Sequence, residues 1–367
     1  MSGKWFEKTS DYSCFYKPRV YFCLSVFYQS KLNQTFMAKR IAINGFGRIG
    51  RLTFRKLYDM PGIEIVGVND LTDPATLAHL LKYDSAQGSF NREVKVDGNL
   101  LLVDDERIQI SAIKSPAELW KGLNVDLVLE CTGLFTDREK ASAHIRPDGA
   151  KKVIISAPAK GSDVPTIVMG INEDSIDPNE TVFSNASCTT NCLAPLVKVL
   201  IDNWGIRMGT MTTIHAYTSD QNLQDAPHRD LRRARAAGYN VIPTSTGAAS
   251  ALKLVIPAIG NKLSAMSYRV PVISGSVVDL NVVLDSPAKE EEINAAFLAA
   301  AQNRMKGYLQ YCTDPIVSGD VIRNTYSCVF DSLMTEVTGE LVKVVGWYDN
   351  EAGYSSRLAE LAFKLSQ

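Results

Sequence analysis

The sequence predicts two folded domains. The first, over residues 37–186, is an α/β domain with a parallel sheet. The second, over residues 187–350, is an α+β domain with a mainly antiparallel sheet, and a last helix over 351–367 is expected to return to the first domain. Three observations predict this. A Gly-x-Gly-x-x-Gly run at Gly45, Gly47 and Gly50 lies between an apolar strand and a helical pattern. Unbroken apolar runs such as Val125 to Glu130 and Lys152 to Ser156 alternate with helical stretches, as strands buried on both faces do. Beyond Ser276 the strands alternate apolar and polar, as in a sheet with helices on one face.

Composition permits this organisation. The chain has 367 residues, 46% hydrophobic and 22% charged, with a net charge of −1, enough for two cores. The near-neutral balance gives no ground to expect nucleic acid or a membrane surface as partner. Seven scattered cysteines, an odd number without metal-type spacing, fit a reducing, cytoplasmic setting better than a disulfide framework, and no metal is expected. Residues 1–36 read unlike the rest: aromatic, rich in Lys and Ser, without a period. Their apolar run, Val20 to Tyr28, falls short of the roughly 20 residues that span a bilayer. They are expected to be an added or mis-started tail, loosely ordered at best; a targeting or partner-binding extension is the alternative.

The first domain opens with a strand at Lys39 to Ile43, the glycine run and a helix through Tyr58. Gly45 allows a tight turn, Gly47 lets backbone approach a pyrophosphate, and Gly50 lets helix pack on strand. The pyrophosphate would sit on the helix N-terminus. A second strand, Ile63 to Asn69, ends at Asp70, roughly 20 residues past the last glycine, where an acid binds ribose hydroxyls. The acid repels a 2′-phosphate, which argues for NAD over NADP. The domain therefore reads as a Rossmann NAD-binding domain. Ligands of such sheets bind at the carboxyl ends of the strands, so Thr132, Gly133 and Ser156 fall where a cofactor lies; each is otherwise an ordinary turn residue.

The second domain begins with Ser184-Asn-Ala-Ser-Cys-Thr-Thr-Asn-Cys-Leu-Ala-Pro195. Leu193, Leu196, Val197 and Leu200 recur at helical spacing, Ser187 or a neighbouring Thr suits the N-cap, and Pro195 suits a first turn. Cys188 thus lies at a helix start, where the dipole eases ionisation of a thiol to the reactive thiolate. The bland alternative is a buried small hydrophobe. Of four histidines, His215 ends a β-rich run, and it is the best base or imidazolium partner for Cys188. Residues 219–240 form a long, basic loop, functional or a subunit-contact surface. Thr246 and Gly247 open another helix, and Arg269 stands at an expected strand start. Arg269 beside Thr218 and Thr246 would suit a phosphate; a surface ion pair is the plain alternative.

Asn44-Gly-Phe-Gly-Arg-Ile-Gly-Arg51, the cysteine stretch and Trp347-Tyr-Asp-Asn-Glu351 together resemble the phosphorylating glyceraldehyde-3-phosphate dehydrogenases, from Met37 to the C-terminus. The resemblance implies a homotetramer that oxidises glyceraldehyde 3-phosphate with NAD and inorganic phosphate. It implies Cys188 as nucleophile and His215 as its activator. It puts Arg48, Ile49, Asp70, Lys114, Ser156 and Asn350 on NAD, and Ser187, Thr189, Thr218, Thr246, Gly247 and Arg269 on two phosphate positions. The long loop would reach a neighbouring subunit's cofactor site. The expected product is 1,3-bisphosphoglycerate, formed through a thiohemiacetal and a thioester. An erythrose-4-phosphate dehydrogenase or a surface-binding protein on the same fold are the alternatives.

Overall fold

The computed structural model describes residues 38–367, so the expectation for the N-terminal tail lies outside the described residues. Two sheets organise the chain. The first has eight strands: β1 (Lys39–Asn44), β2 (Ile63–Asn69), β3 (Val94–Asp97), β4 (Leu100–Val103), β5 (Glu106–Ser111), β6 (Val125–Glu130), β7 (Ala150–Ile155) and β8 (Val182–Ser184). Their spatial order is β3-β4-β5-β2-β1-β6-β7-β8. All pairs from β5 to β8 are parallel, while β3–β4 and β4–β5 are antiparallel. The parallel expectation is thus corrected at one edge. The short strands β3 and β5 are largely solvent-facing and alternate, so they lack the unbroken apolar signature of a central strand.

Helices α1 (Arg48–Tyr58), α2 (Pro74–Lys82) and α3 (Arg138–Ser142) belong to this part of the chain. The second sheet holds β9 (Ile206–Ala216), β10 (Ile242–Thr244), β11 (Leu263–Val270), β12 (Ser276–Leu284), β13 (Leu309–Cys312), β14 (Cys328–Thr338) and β15 (Leu341–Tyr348). Its order is β10-β11-β9-β12-β15-β14-β13; only β11–β9 and β13–β14 pair in parallel. Helix α4 (Cys188–Trp204) packs across β12, β14 and β15, flanked by α5 (Ala248–Val255) and α6 (Glu290–Gln302). β12 alternates strictly: Val278, Leu280 and Val282 are fully buried under this layer, while Val277, Asp279 and Asn281 are only partly covered.

The last helix, α7 (Ala352–Ser366), packs on α1, and Leu358, Leu361 and Leu365 join the core of the first sheet. Two expectations are corrected. Pro195 lies inside α4 rather than in its first turn, because the helix already begins at Cys188; it removes one backbone donor there. Arg269 lies at the end of β11, not at a strand start, since Pro271 stops the strand and the pairing residues run upstream to Leu263.

Candidate active site

The three glycines of the first loop act differently. Gly45 has φ +91°, and a Cβ there would meet the backbone nitrogen of Thr132 at 2.6 Å. A Cβ on Gly50 would lie 2.2 Å from the Gly45 carbonyl oxygen, so helix and loop pack through its missing side chain. Among the described residues a Cβ on Gly47 would meet nothing within 4 Å. Its open side lines a cavity of ≈ 460 Å³ with Gly45, Asp70, Lys114 and Thr132. The Asp70 carboxylate accepts from the Phe46 amide at 2.8 Å and the Thr72 amide at 3.0 Å, which holds it at the end of β2.

Gly47, Cys131 and Thr132 are shared with a second cavity of ≈ 580 Å³. Arg48, Ile49, Ser156, Ser187, Cys188, His215, Thr218, Arg269 and Asn350 line it. The glycine loop and the cysteine therefore face one continuous crevice. Thr189, Thr246 and Gly247 do not line it. Thr189 is buried, and its hydroxyl pairs with the Tyr348 hydroxyl at 3.0 Å.

Cys188 is the first residue of α4. The Ser187 hydroxyl accepts from the Thr190 amide at 3.0 Å, the N-cap that the sequence suggests. Just before it, Ala186 has φ +57°, a left-handed conformation rare for a residue with a side chain. The Tyr354 hydroxyl donates to the Ala186 carbonyl at 3.0 Å and holds that turn. His215 ends β9 and is the parallel register partner of Arg269 on β11, so sheet pairing places the imidazole and the guanidinium side by side. The Cys188 sulfur lies 3.4 Å from His215 Nε2. Nδ1 donates to the Ala216 carbonyl at 2.6 Å, which leaves Nε2 as the acceptor facing the thiol. Arg269 also reaches Nδ1 and donates to Ala216 O at 3.0 Å. Since Nδ1 cannot donate and accept at once, we assign its proton to the carbonyl bond, which Arg269 then shares.

Burial pushes the Cys188 thiol up, against the pull of the Arg269 charge and of the Thr189 hydroxyl and amide. The expected easing of ionisation at the helix start operates but is outweighed by desolvation. Burial, with Arg269 beside it, lowers His215 to about 3. The pair is thus neutral, and an anion on Arg269 would remove the charge that opposes an imidazolium. Burial pushes the neighbouring Cys131 thiol up to about 12, which leaves it inert beside Cys188.

A family profile described as glyceraldehyde 3-phosphate dehydrogenase, NAD binding domain, matches residues 39–138, and the corresponding C-terminal domain profile matches residues 187–350. A curated glyceraldehyde-3-phosphate dehydrogenase of Geobacillus stearothermophilus is 54% identical over 329 residues, 89% of this chain and 98% of the relative. One of Mycobacterium avium is 54% identical over 333 residues with the same coverage of each. The chain belongs to the glyceraldehyde 3-phosphate dehydrogenase family. Membership makes it an NAD-dependent oxidoreductase with a Rossmann domain and a catalytic domain.

The crevice fits NAD on its own geometry. The cradle at Gly47 is one that a side chain would fill, α1 begins there without a side-chain cap, and Asp70 stands at the far strand end. Sequence reasoning missed Tyr348. Its hydroxyl lies 3.0 Å from Thr189 Oγ1 and 2.9 Å from Thr213 Oγ1, and its ring meets His215 edge-on with centroids 5.9 Å apart. It ties the first turn of α4 to β9. The alternation of Thr213 and His215 on one strand face was the available signal. Glu130 was also missed. Buried beneath the crevice, it accepts from Asn44 at 2.6 Å and from the Thr132 amide at 2.8 Å.

Proposed function

We propose that this chain oxidises glyceraldehyde 3-phosphate with NAD and inorganic phosphate to 1,3-bisphosphoglycerate. The observation that carries the reading is the Cys188 sulfur 3.4 Å from His215 Nε2, in a cavity continuous with the glycine loop. In this reading Gly45, Gly47, Arg48, Ile49, Asp70, Lys114, Thr132, Ser156 and Asn350 bind the dinucleotide. Asn350 is aimed from behind, its carbonyl oxygen accepting from the Ser276 hydroxyl at 2.9 Å.

His215 Nε2 takes the thiol proton as Cys188 adds to the aldehyde carbonyl. The oxyanion is met by the Cys188 amide at the helix start and takes the proton back from the imidazolium, which leaves a thiohemiacetal hydroxyl and a neutral His215. NAD, when bound, supplies the hydride acceptor. His215 receives the hydroxyl proton as the thiohemiacetal is oxidised, and a thioester on Cys188 remains. Phosphate attacks the thioester carbon, and the thiolate leaves with its bonding pair. Sulfur suits both halves because it attacks well and leaves well. Arg269, Thr218, Ser187, Thr189, Thr246 and Gly247 serve the two phosphate positions. Thr189 contributes its backbone amide, as its hydroxyl is engaged with Tyr348.

The chain acts as a cytoplasmic homotetramer in this reading. Two features support assembly: Met208 and Met266 are exposed on the sheet face away from α4, and the long loop exposes Leu223, Leu231 and Tyr239. Among the described residues no helix is long and apolar enough to cross a membrane. The test is NADH formation from glyceraldehyde 3-phosphate. A rate that requires phosphate and falls with NADP supports the proposal. A phosphate-independent rate that releases free acid would overturn it in favour of erythrose-4-phosphate-type chemistry.

A further inference from the structure

A second cleft, ≈ 240 Å³, lies between α1, the segment after α2, and the start of α7. We propose that it binds a small phosphomonoester. Its cationic lining is Arg55, Lys56 and Arg323, and Phe90 is part of its apolar floor. Among the described residues none of these three cations has a carboxylate within ion-pair distance. The one acid of the cleft, Asp59, is held by Arg92 at 2.6 Å.

The two arginines are fixed in place by backbone rather than by counter-ions. Arg55 Nη1 donates to the Gly88 carbonyl at 2.9 Å and Nε to the Leu81 carbonyl at 3.0 Å. Arg323 Nε donates to the Ala86 carbonyl at 3.2 Å, and its Nη2 lies 3.0 Å from where a Gly88 Cβ would sit. Two guanidinium groups therefore flank one glycine, and a guanidinium has five donors, more than these carbonyls use. Arg323 holds φ +72°, a left-handed conformation kept by its amide donating to Asp349 at 2.7 Å.

An independent feature points the same way. The Ser355 hydroxyl belongs to a fully buried residue of the cleft wall and, among the described residues, has no hydrogen-bond partner. An orphaned buried hydroxyl is unfavourable, and an acceptor oxygen in the cleft would satisfy it. Burial, and then Arg357, pull the Lys56 ammonium below its ordinary range, a strain that an anion relieves. Three cations and a hydroxyl match a dianion with several acceptor oxygens better than a single carboxylate. The floor suits a short carbon chain. The cleft is separate from the Cys188 cavity and shares no lining residue with it.

The test is calorimetric titration of glycerol 2-phosphate into the full chain. Arg269→Gln removes the anion partner of the catalytic cavity and should leave a binding site. Adding Lys56→Gln and Arg323→Gln should weaken that remaining site by about tenfold or more. Ser355→Ala should weaken it by about threefold. Lys56→Gln with Arg323→Gln on the parent chain should keep kcat within about twofold, so the result does not depend on the catalytic assignment. Loss of all binding in Arg269→Gln, or a remaining site indifferent to these substitutions, overturns the proposal. Thermal melts establish folding of each variant. Should the double substitution unfold, Ser355→Ala and Lys56→Gln alone decide the question.

Discussion

Two helix starts face the same crevice, and they are built in opposite ways. Helix α1 begins at Gly47 with no side-chain cap, so its first amide groups are left for a ligand. Helix α4 begins at Ser187 with a side-chain cap, after a strained Ala186 held by Tyr354. The open start suits an anion that arrives from outside. The closed start holds a side chain of its own, Cys188, at a set distance from His215. One is a receptor and the other a mount, although both use the same dipole.

The sharpest break of this comparison is at the mount. Cys188→Ser should lower phosphate-dependent NADH formation by on the order of 10⁴-fold or more, while NAD affinity, read by fluorescence titration, stays unchanged. Appreciable turnover in that variant would remove Cys188 from the mechanism. His215→Asn should cost about 10²- to 10⁴-fold in kcat. It also has a stability signature. The folded chain holds His215 neutral down to about 3, whereas the unfolded chain takes a proton near the ordinary 6.5. Its contribution is therefore present above that ordinary value and is lost as pH falls from there toward about 3. Urea midpoints followed over this window should fall less steeply in His215→Asn; an identical slope would show that the residue is not held neutral.

At the receptor, two glycines separate packing from binding. Gly50→Ala drives a methyl to within 2.2 Å of the Gly45 carbonyl oxygen, so it should destabilise the fold by about 1–3 kcal/mol. Gly47→Ala meets nothing among the described residues, so its melting temperature should hold while KM for NAD rises. Equal effects of the two on stability would deny Gly47 its role as a cradle.

Much of this was legible because it is local. The glycine run, Asp70 twenty residues on and the Ser187 cap are fixed by neighbours in the chain. What was not legible depends on distant pairing. Arg269 meets His215 because β11 and β9 run in parallel, while the sequence around Arg269 suggested only a strand start. Tyr348 stands within a recognised motif, but nothing nearby says that its hydroxyl joins α4 to β9. Burial of Cys188 is likewise a sum over the whole fold, so the helix start alone gave the wrong balance for its ionisation. Residues 94–111 were passed over because short, half-exposed edge strands carry little periodicity.

The smallest expected effect tests whether the strain before the mount is wasted. Ala186 in the left-handed region is disfavoured by about 1–2 kcal/mol relative to ordinary backbone, which glycine would relieve. Ala186→Gly, however, loosens the unfolded chain by about 0.5–1 kcal/mol and removes a fully buried methyl worth about 0.8 kcal/mol. These terms nearly cancel, so stability should change by less than about 1 kcal/mol in either direction. The turn would nonetheless gain backbone freedom, held only by the Tyr354 hydroxyl on the Ala186 carbonyl and the Ser184 hydroxyl on its amide at 3.1 Å. We therefore expect kcat to drop a few-fold, about what a modest misplacement of Cys188 produces, with KM for NAD unchanged. A variant that is clearly more stable and equally active would mean that the capped helix start holds the thiol without help from the turn before it.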